Sequence, residues 1–301
     1  MPQIWVIVGA SRDIGLELVT QLLARGDQVI ATARSPSANH SPLEMETASK
    51  LWSLTGGSNG SNLTILECCI DDEDSIYGFK EQLQRLGRTG RILEKGIIDF
   101  VVLNTSTSAF PKRLSEITFS VFTHFLNFLA VGPLITAQQL LSLSSPPIYS
   151  IPTSSVTSNY ASIKIRTLVF ISSASSSTGN LKAQYGLGVY AASIAALNQG
   201  IRHIAAELQR ETPTEGTRSP VILATHPGDL TIETTCSPYL QWKARSAITA
   251  PEITKSILKI IKEKGYGGMD EGGWMTAEKE GGRSESGEAS FWTWEGKRYP
   301  W

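Results

Sequence analysis

Short apolar runs rich in β-branched residues alternate along this chain with longer runs in which apolar residues recur every three or four positions. The short runs are typical of buried strands, and the longer runs are typical of amphipathic helices. Strands are predicted at 4–8, 28–33, 63–69, 97–103, 167–171 and 221–224. Helices are predicted at 43–54, 73–86, 119–143, 189–211 and 251–263, and between the first two strands up to Gly26.

The alternation of strands and helices predicts repeated βαβ units, in which a parallel sheet is buried on both faces. The predicted fold class is therefore α/β, a single Rossmann-type doubly wound parallel sheet with helices on both faces. One dinucleotide-binding domain over 1–301 accounts for the whole pattern. Residues 142–162 are rich in Ser, Pro and Thr, and residues 265–289 are rich in Gly, Glu and Ser. Both segments are predicted to be surface loops of that domain.

The composition of the chain bears on which kinds of partner the protein is expected to bind. The 301 residues are 41% hydrophobic and 18% charged, and the formal net charge is −1, so no general attraction to nucleic acid or to an anionic membrane is expected. No uninterrupted apolar run reaches the roughly 18 residues expected of a membrane span. The three cysteines and the first strand at the very start of the chain predict a cytoplasmic protein. The four histidines show no metal-ligand spacing, so no metal site is predicted.

The first candidate site follows the first strand, where residues 9–15 read Gly-Ala-Ser-Arg-Asp-Ile-Gly and open a helix. The free N–H groups and the dipole of a helix start form a site for a pyrophosphate group. A plain strand-to-helix turn favours glycine as well, so this segment alone leaves both interpretations open. The predicted cofactor-binding residues of the turn are Gly9, Ser11, Arg12, Asp13, Ile14 and Gly15.

Several further motifs follow in a consistent order. Residues 98–106 comprise most of the predicted strand at 97–103 and the Asn-Thr-Ser that follows it, and residues 171–173 read Ile-Ser-Ser. Residues 190–199 read Tyr-Ala-Ala-Ser-Ile-Ala-Ala-Leu-Asn-Gln, and His-Pro-Gly follows at 226–228. Together with the turn and the tail at 294–301, these motifs make nearly the whole chain resemble the short-chain dehydrogenases/reductases. The resemblance is strongest to the sniffer-like and carbonyl-reductase-like branch that is common in fungi.

The resemblance implies roles for individual residues. Ser173 and Tyr190 correspond to the catalytic serine and tyrosine, which polarise and protonate a carbonyl oxygen. Asn104, Pro227 and Gly228 stand at positions that border the cofactor. At the end of the second strand the chain has Arg34, and a guanidinium suits a 2′-phosphate. The expected cofactor is therefore NADP(H), although an ordinary solvated surface arginine is the alternative interpretation of Arg34.

The chain departs from the family pattern around the cofactor. Asp13 replaces the middle glycine of the turn, where its carboxylate is expected to cap the helix and so to compete with the pyrophosphate that it would also repel. Cys69 stands where the family often has an aspartate that binds the adenine amine, and a thiol is a weak acceptor. Thr105 and Ser106 replace a small Ala-Gly pair, which adds side chains beside the expected nicotinamide ribose.

Two departures concern the catalytic set itself. Leu129 replaces the family's helix asparagine, three residues before Gly132, and Ile194 replaces the lysine that follows the tyrosine by one helical turn. Without that ammonium, the pKa of Tyr190 is expected to lie near its ordinary value of about 10, or above it if the side chain is buried. A protonated tyrosine still supports reduction, whereas oxidation near neutral pH should suffer. Lys182 is either a substitute cation or a solvated loop lysine.

These observations lead to a leading hypothesis and two alternatives. The leading hypothesis is an NADP(H)-dependent reductase of the short-chain type that acts on a carbonyl of a small molecule, with secondary metabolism as its expected setting. The first alternative is a non-redox cyclase, isomerase or dehydratase on the same scaffold. The second is a catalytically silent NADP-binding protein. The family resemblance is also compatible with a homo-oligomer.

Overall fold

The computed structural model describes residues 2–34, 42–89, 92–105, 113–144, 162–180, 187–210, 220–228, 249–268 and 289–301. The strands are β1 (Ile4–Val8), β2 (Gln28–Ala33), β3 (Leu63–Glu67), β4 (Ile97–Leu103), β5 (Lys164–Ile171), β6 (Val221–His226) and β7 (Ser290–Thr293). The helices are α1 (Asp13–Ala24), α2 (Pro42–Ser53), α3 (Glu73–Thr89), α4 (Phe119–Leu126), α5 (Gly132–Leu141), α6 (Gly188–Arg210) and α7 (Ala250–Lys264). Most of the loop segments predicted at 142–162 and 265–289 lies outside the described residues, as do Ser106 and Lys182.

The strands form one seven-stranded sheet in the order β3-β2-β1-β4-β5-β6-β7. The pairs of β1 with β2, β1 with β4, β2 with β3, and β6 with β7 are all parallel. The strand order changes direction beside β1, as in other doubly wound folds. The prediction of a Rossmann-type α/β sheet with flanking helices is therefore confirmed.

Contacts within the chain define two compact units. The first comprises Met1–Leu103 with Leu134–Leu168, and the second comprises Asn104–Pro133 with Val169–Trp301. The prediction of one domain over the whole chain stays a prediction. In the first unit the centre of the core is Trp5, which is fully buried and stacks on Phe100 of the adjacent strand with ring centroids 4.1 Å apart. In the second unit Phe291 and Trp292 of β7 are buried, and Lys264 at the end of α7 places its ammonium over the Trp292 ring.

The predicted helix at 119–143 is correct in position but is interrupted. A π-helical turn, Asn127–Val131, separates α4 from α5. Pro133 is the second residue after this turn, and proline has no N–H to donate to the carbonyl four residues earlier, so a wider turn accommodates it without a break. The whole stretch Phe119–Ser144 is long and apolar enough to cross a membrane, a property that it shares with core helices of soluble proteins.

Other boundaries differ by a few residues. β3 ends at Glu67 rather than at 69, while β5 begins earlier than predicted and β6 extends to His226. The edge strand β7 is absent from the sequence-based prediction, which left the aromatic tail unassigned to any strand. Only four residues form β7, and a run of that length is too short to show a strand period.

Candidate functional site

The turn between β1 and α1 is held against the end of β2. Gly9 has a φ of 77°, a conformation that L side chains rarely adopt, and its N–H donates to Thr32 Oγ1 at 3.1 Å. The N–H of Ala10 donates to the carbonyl of Thr32 at 3.2 Å, and Ala10 is fully buried. The positive φ therefore explains why glycine stands at position 9, and the two hydrogen bonds to Thr32 anchor the turn.

The amides that begin α1 face outward from the helix end without intrahelical acceptors. The first helical hydrogen bond of α1 is that of Leu16 N–H to the carbonyl of Arg12. The N–H groups of Asp13, Ile14 and Gly15 precede it and have no acceptor within the described ranges of the chain. A row of unsatisfied donors at a helix start is the arrangement that binds a phosphate group. The backbone of the predicted pyrophosphate site thus offers the free N–H donors that a phosphate group requires.

Asp13 adopts the backbone conformation of the glycine that it replaces. Its φ is 48°, and it is the only non-glycine residue with positive φ in the part of the chain that the structure describes. Its side chain is 66% exposed and lies 3.8 Å from Arg12 Nε. The interpretation of Asp13 as an N-cap is wrong, because Arg12 is the N-cap residue and no side-chain cap bond is present there. The carboxylate therefore stands beside the free amides rather than consuming them.

The ends of β2 and β3 carry the residues expected near an adenosine. Arg34 follows β2 directly and is half-buried. The Cys69 thiol, just beyond β3, donates to Asp71 Oδ1 at 3.0 Å. Burial first, and then the hydrogen bond and charge of Asp71, raise the pKa of Cys69 to about 12, while the charge of Arg34 acts in the opposite direction. Cys69 is therefore a neutral thiol and a weak donor, and its acceptor Asp71 was not singled out by the sequence-based interpretation.

In the second unit, the serine pair that the family resemblance indicates directly follows the end of β5. Ser172 is buried, whereas Ser173 is partly exposed. Ser173 caps a short 3₁₀ turn, Ala174–Ser176, because its Oγ accepts from the N–H of Ser175 at 3.3 Å. The Oγ atoms of Ser173 and Ser175 are 2.9 Å apart. The Ser173 hydroxyl is thus oriented by a backbone donor and by the Ser175 hydroxyl.

Tyr190 stands in the first turn of α6, and its hydroxyl lies beside Ser173. Burial raises the pKa of Tyr190 above its ordinary value, while hydrogen bonding with Ser173 lowers it again in part. The residue is only half-buried as a whole, so the desolvation acts chiefly on the hydroxyl end. The structure therefore brings the two predicted catalytic hydroxyls together, with a phenol that is protonated at neutral pH.

Apolar side chains occupy the two positions at which the sequence resemblance implies a lysine and an asparagine. Ile194 is 1% exposed and Leu129 is fully buried. Leu129 lies in the π-helical turn, which packs against α6. Neither side chain has a polar atom, so neither can stabilise a tyrosinate at Tyr190. The raised pKa of Tyr190 agrees with the expectation drawn from Ile194.

The remaining predicted cofactor residues follow β4 and β6. Asn104 is buried directly after β4, and the next residue, Thr105, has a buried hydroxyl with no hydrogen-bond partner in the described part of the chain. After β6, Gly228 has a φ of 84°, and its N–H donates to Nδ1 of His226 at 3.1 Å. A Cβ on Gly228 would lie 2.8 Å from the Trp294 ring, so this turn requires glycine for space and for conformation. Pro227 is half-buried between these two residues.

The structure also shows residues around Ser173 to which the sequence analysis assigned no role. Asn198 is buried on α6, two turns beyond Tyr190, and contacts both ends of the serine segment. The hydroxyls of Ser177 and Thr178 and the N–H of Gly179 all donate to the main-chain oxygen of Trp301. Tyr190, Ile194 and Asn198 are spaced four residues apart on one helix, a pattern that could have indicated the role of Asn198. No local pattern predicts the hydrogen bonds to Trp301, because their partners are more than 100 positions apart.

Comparison with known proteins supports the fold alone. No protein-family model and no curated protein sequence matches this chain. An NADPH-bound carbonyl reductase from chicken fatty liver has a similar structure, with a TM-score of 0.68 and 22% identity over 100% of this chain and 99% of that chain. An NADP-bound short-chain dehydrogenase/reductase from Burkholderia multivorans is similar at a TM-score of 0.67 and 18% identity over the full length of both chains. The carbonyl reductase Sniffer of Drosophila melanogaster is similar at a TM-score of 0.64 and 20% identity, again over both full lengths. The chain thus has the Rossmann-type α/β fold of short-chain dehydrogenase/reductase structures.

Proposed function

We propose that this protein is an NADP(H)-dependent reductase of the short-chain type that reduces a carbonyl group of a small molecule. The observation that carries the proposal is the adjacency of two hydroxyls, that of Ser173 after β5 and that of Tyr190 on α6, with the phenol held in its protonated form. A pair of hydroxyl donors of this kind suits a carbonyl oxygen that gains negative charge. Structural neighbours described as NADPH-bound or NADP-bound carbonyl reductases add support.

The residues of the first unit fit the nucleotide. The unsatisfied amides of Asp13, Ile14 and Gly15 suit a diphosphate, and Ser11 and Arg12 stand in the same turn. Arg34 at the end of β2 suits a 2′-phosphate by charge and by its forked donors. In the second unit the residues that would border the nicotinamide are Asn104, Pro227 and Gly228. When bound, NADPH supplies the hydride, and the chain supplies binding, orientation and a proton.

Each hydroxyl has its own task in the proposed reaction. The Ser173 hydroxyl donates a hydrogen bond to the substrate oxygen and so polarises the carbonyl. Tyr190 donates its phenolic proton to that oxygen as negative charge develops there, because an alkoxide is far more basic than a phenolate. Ser175 keeps Ser173 oriented through its N–H and its hydroxyl. Since Ile194 offers no cation, the phenolate that remains is costly, and a slow or specialised reductase is expected.

The test measures NADPH consumption by its absorbance in the presence of a panel of aldehydes, ketones and imines. Tyr190→Phe should lower the rate by about 10² to 10⁴, since a positioned acid is worth that much. Tyr77→Phe, which removes the same hydroxyl from an exposed site on α3, is the matched control and should leave turnover unchanged. Full activity of Tyr190→Phe would refute the assignment. Calorimetry that detected no binding of either nicotinamide nucleotide to folded protein would refute it as well.

A non-redox enzyme is the second candidate, and the burial of Ile194 and Leu129 favours it. These two apolar side chains remove the polar support for hydride transfer while Ser173 and Tyr190 remain able to polarise a carbonyl. A cyclase, isomerase or dehydratase would form product without consuming NADPH, which distinguishes it from a reductase. Binding of NADPH without turnover of any substrate would instead favour a silent binding protein.

The setting of the protein is part of the same proposal. We infer a cytoplasmic protein, supported by the sparse and odd count of three cysteines, of which Cys68 and Cys69 are free thiols. Secondary metabolism is the proposed setting, and a homo-oligomer is the proposed assembly. Cell fractionation, product analysis of a strain that lacks the protein, and analytical ultracentrifugation test these three statements separately.

A further inference from the structure

A chain of buried hydrogen bonds links α6 to the turn that carries Ser173. The Ser172 hydroxyl donates to Asn198 Oδ1 at 2.7 Å, and Asn198 Nδ2 donates to Ser176 Oγ at 2.8 Å. The Ser176 hydroxyl in turn donates to the main-chain carbonyl of Ser173 at 2.6 Å. Ser172, Ser176 and Asn198 are all at most 4% exposed, so water does not compete for these bonds.

The side-chain amide of Asn198 fixes the direction of these hydrogen bonds. An asparagine side chain accepts through its oxygen and donates through its nitrogen, so it can receive the proton of one serine and direct the proton of the other. Because Asn198 donates to Ser176, the single Ser176 proton is left for the Ser173 carbonyl. The main-chain N–H of Ser172 is fixed separately, since it donates to the carbonyl of Thr225 at 2.7 Å. The segment from Ser172 to Ser176 is thereby held on both sides.

The helix that provides Asn198 also provides Tyr190. α6 runs from Gly188 to Arg210 without interruption and packs against the 3₁₀ turn Ala174–Ser176. A helix is rigid over two turns, so any restraint on Asn198 is transmitted to Tyr190 with little loss. In this protein no lysine on α6 adds a second polar restraint at the intervening position, which is Ile194.

We propose that Asn198 is a positioning residue, which holds the turn bearing Ser173 against the helix bearing Tyr190 and so sets the separation of the two hydroxyls. Its consequence for turnover rests on the proposed reductase function, but its structural effect does not. Loss of the amide lets the Ser173 turn shift, and a displacement of about 1 Å at a reacting group can lower a rate by about 10². Binding of the nucleotide to the turn after β1 should be unaffected.

The test uses the full-length protein with Asn198→Leu, Ser176→Ala and the double variant. Gln199→Leu is the matched control, because it makes the same amide-to-leucine change at the adjacent, exposed position of α6. Each single variant should lower kcat by about 10- to 100-fold, with the Kd for NADPH within about twofold of that of the parent protein. Both residues act through one chain of bonds, so the double variant should be no slower than the slower single variant.

A second measurement does not depend on turnover. In protein labelled with ¹³C at the tyrosine ζ carbon, the Tyr190 signal is assigned by its loss in Tyr190→Phe and titrated with pH. The bond from Ser173 lowers the pKa of Tyr190, so both Asn198→Leu and Ser176→Ala should move the titration upward, and Gln199→Leu should not. If that shift occurs but no carbonyl substrate is reduced, the positioning role stands and the reductase proposal falls.

The outcomes that overturn the inference are equally definite. An unchanged Tyr190 titration in the folded variants would show that Asn198 merely fills space. Strictly multiplicative losses of kcat in the double variant would show that Asn198 and Ser176 act independently. If Asn198→Leu fails to fold, Ser176→Ala alone decides, because it keeps the amide and removes only one oxygen atom.

Discussion

Replacing Asp13 separates the backbone strain of the nucleotide turn from its charge. Asp13→Gly removes both the carboxylate and the Cβ at a φ of 48°, whereas Asp13→Asn removes the charge and keeps the side chain in the same conformation. A left-handed conformation costs an L-residue about 1 to 2 kcal/mol, and less for Asp and Asn, which tolerate it. Asp13→Gly removes that strain. It also removes the attraction of the carboxylate to the helix start and to Arg12, each of which is worth at most about 1 kcal/mol at an exposed position.

Replacing Asp13 should therefore have different effects on the free energy of unfolding and on the affinity for NADPH. The free energy of unfolding of Asp13→Gly should stay within about 1 kcal/mol of that of the parent protein, because the two changes oppose each other. For binding, the Asp13 side chain is 66% exposed, so its repulsion of a diphosphate is that of charges in water, about 1 kcal/mol at close range. Both variants should bind NADPH more tightly by about fivefold at low salt, since about 1.4 kcal/mol corresponds to tenfold.

Calorimetric titration with NADPH at two ionic strengths is the assay. The gain should shrink at about 0.1 M salt or above, because exposed charges are screened over about 10 Å there. Glu81→Gln is the matched control, since it neutralises an exposed carboxylate in the middle of α3 that also pairs with an arginine, Arg85, and it should leave the Kd unchanged. Equal NADPH affinities of parent, Asp13→Asn and Asp13→Gly at low salt would refute the electrostatic reasoning.

Three further predictions follow from the site. The rate of reduction should stay level between about pH 6 and 9, while oxidation should keep rising through that range, because Tyr190 has a raised pKa and oxidation needs its phenolate; an oxidation plateau below pH 9 would contradict this. Arg34→Ser should weaken NADPH binding by about tenfold or more and leave NADH binding nearly unchanged, since a charge-assisted hydrogen bond is worth about 1.5 to 3 kcal/mol; equal losses for the two nucleotides would contradict it. Gly228→Ala should lower the free energy of unfolding more than Gly296→Ala, by about 1 kcal/mol or more, because both glycines have a φ of 84° but only Gly228 would place a Cβ against Trp294; equal melting temperatures of the two variants would show that the ring yields without cost.

Particular elements show why some features were predictable. The strands β1, β2 and β4 are buried over most of their length, so their sequences are mainly apolar runs that indicate a strand in a buried sheet. The turn at Gly9 was predictable for the same local reason, since a positive φ favours glycine. The π-helical turn was not predictable, because an i to i+5 turn has the same apolar composition as the helix around it. The strand β7 depends on pairing with β6, which is distant in sequence.

The sequence by itself determined the layout of strands and helices, the glycine turn and the identity of the hydroxyl residues, because each of these has a local signature. It also placed an isoleucine, Ile194, where the resemblance implies a lysine. Only the tertiary structure decided that Asp13 adopts a left-handed backbone without capping the helix, that Tyr190 is desolvated beside Ser173, and that Asn198 joins the two elements that bear them. Such facts depend on which distant groups meet in a buried space, and hydrogen bonding and desolvation are properties of that meeting rather than of either residue alone.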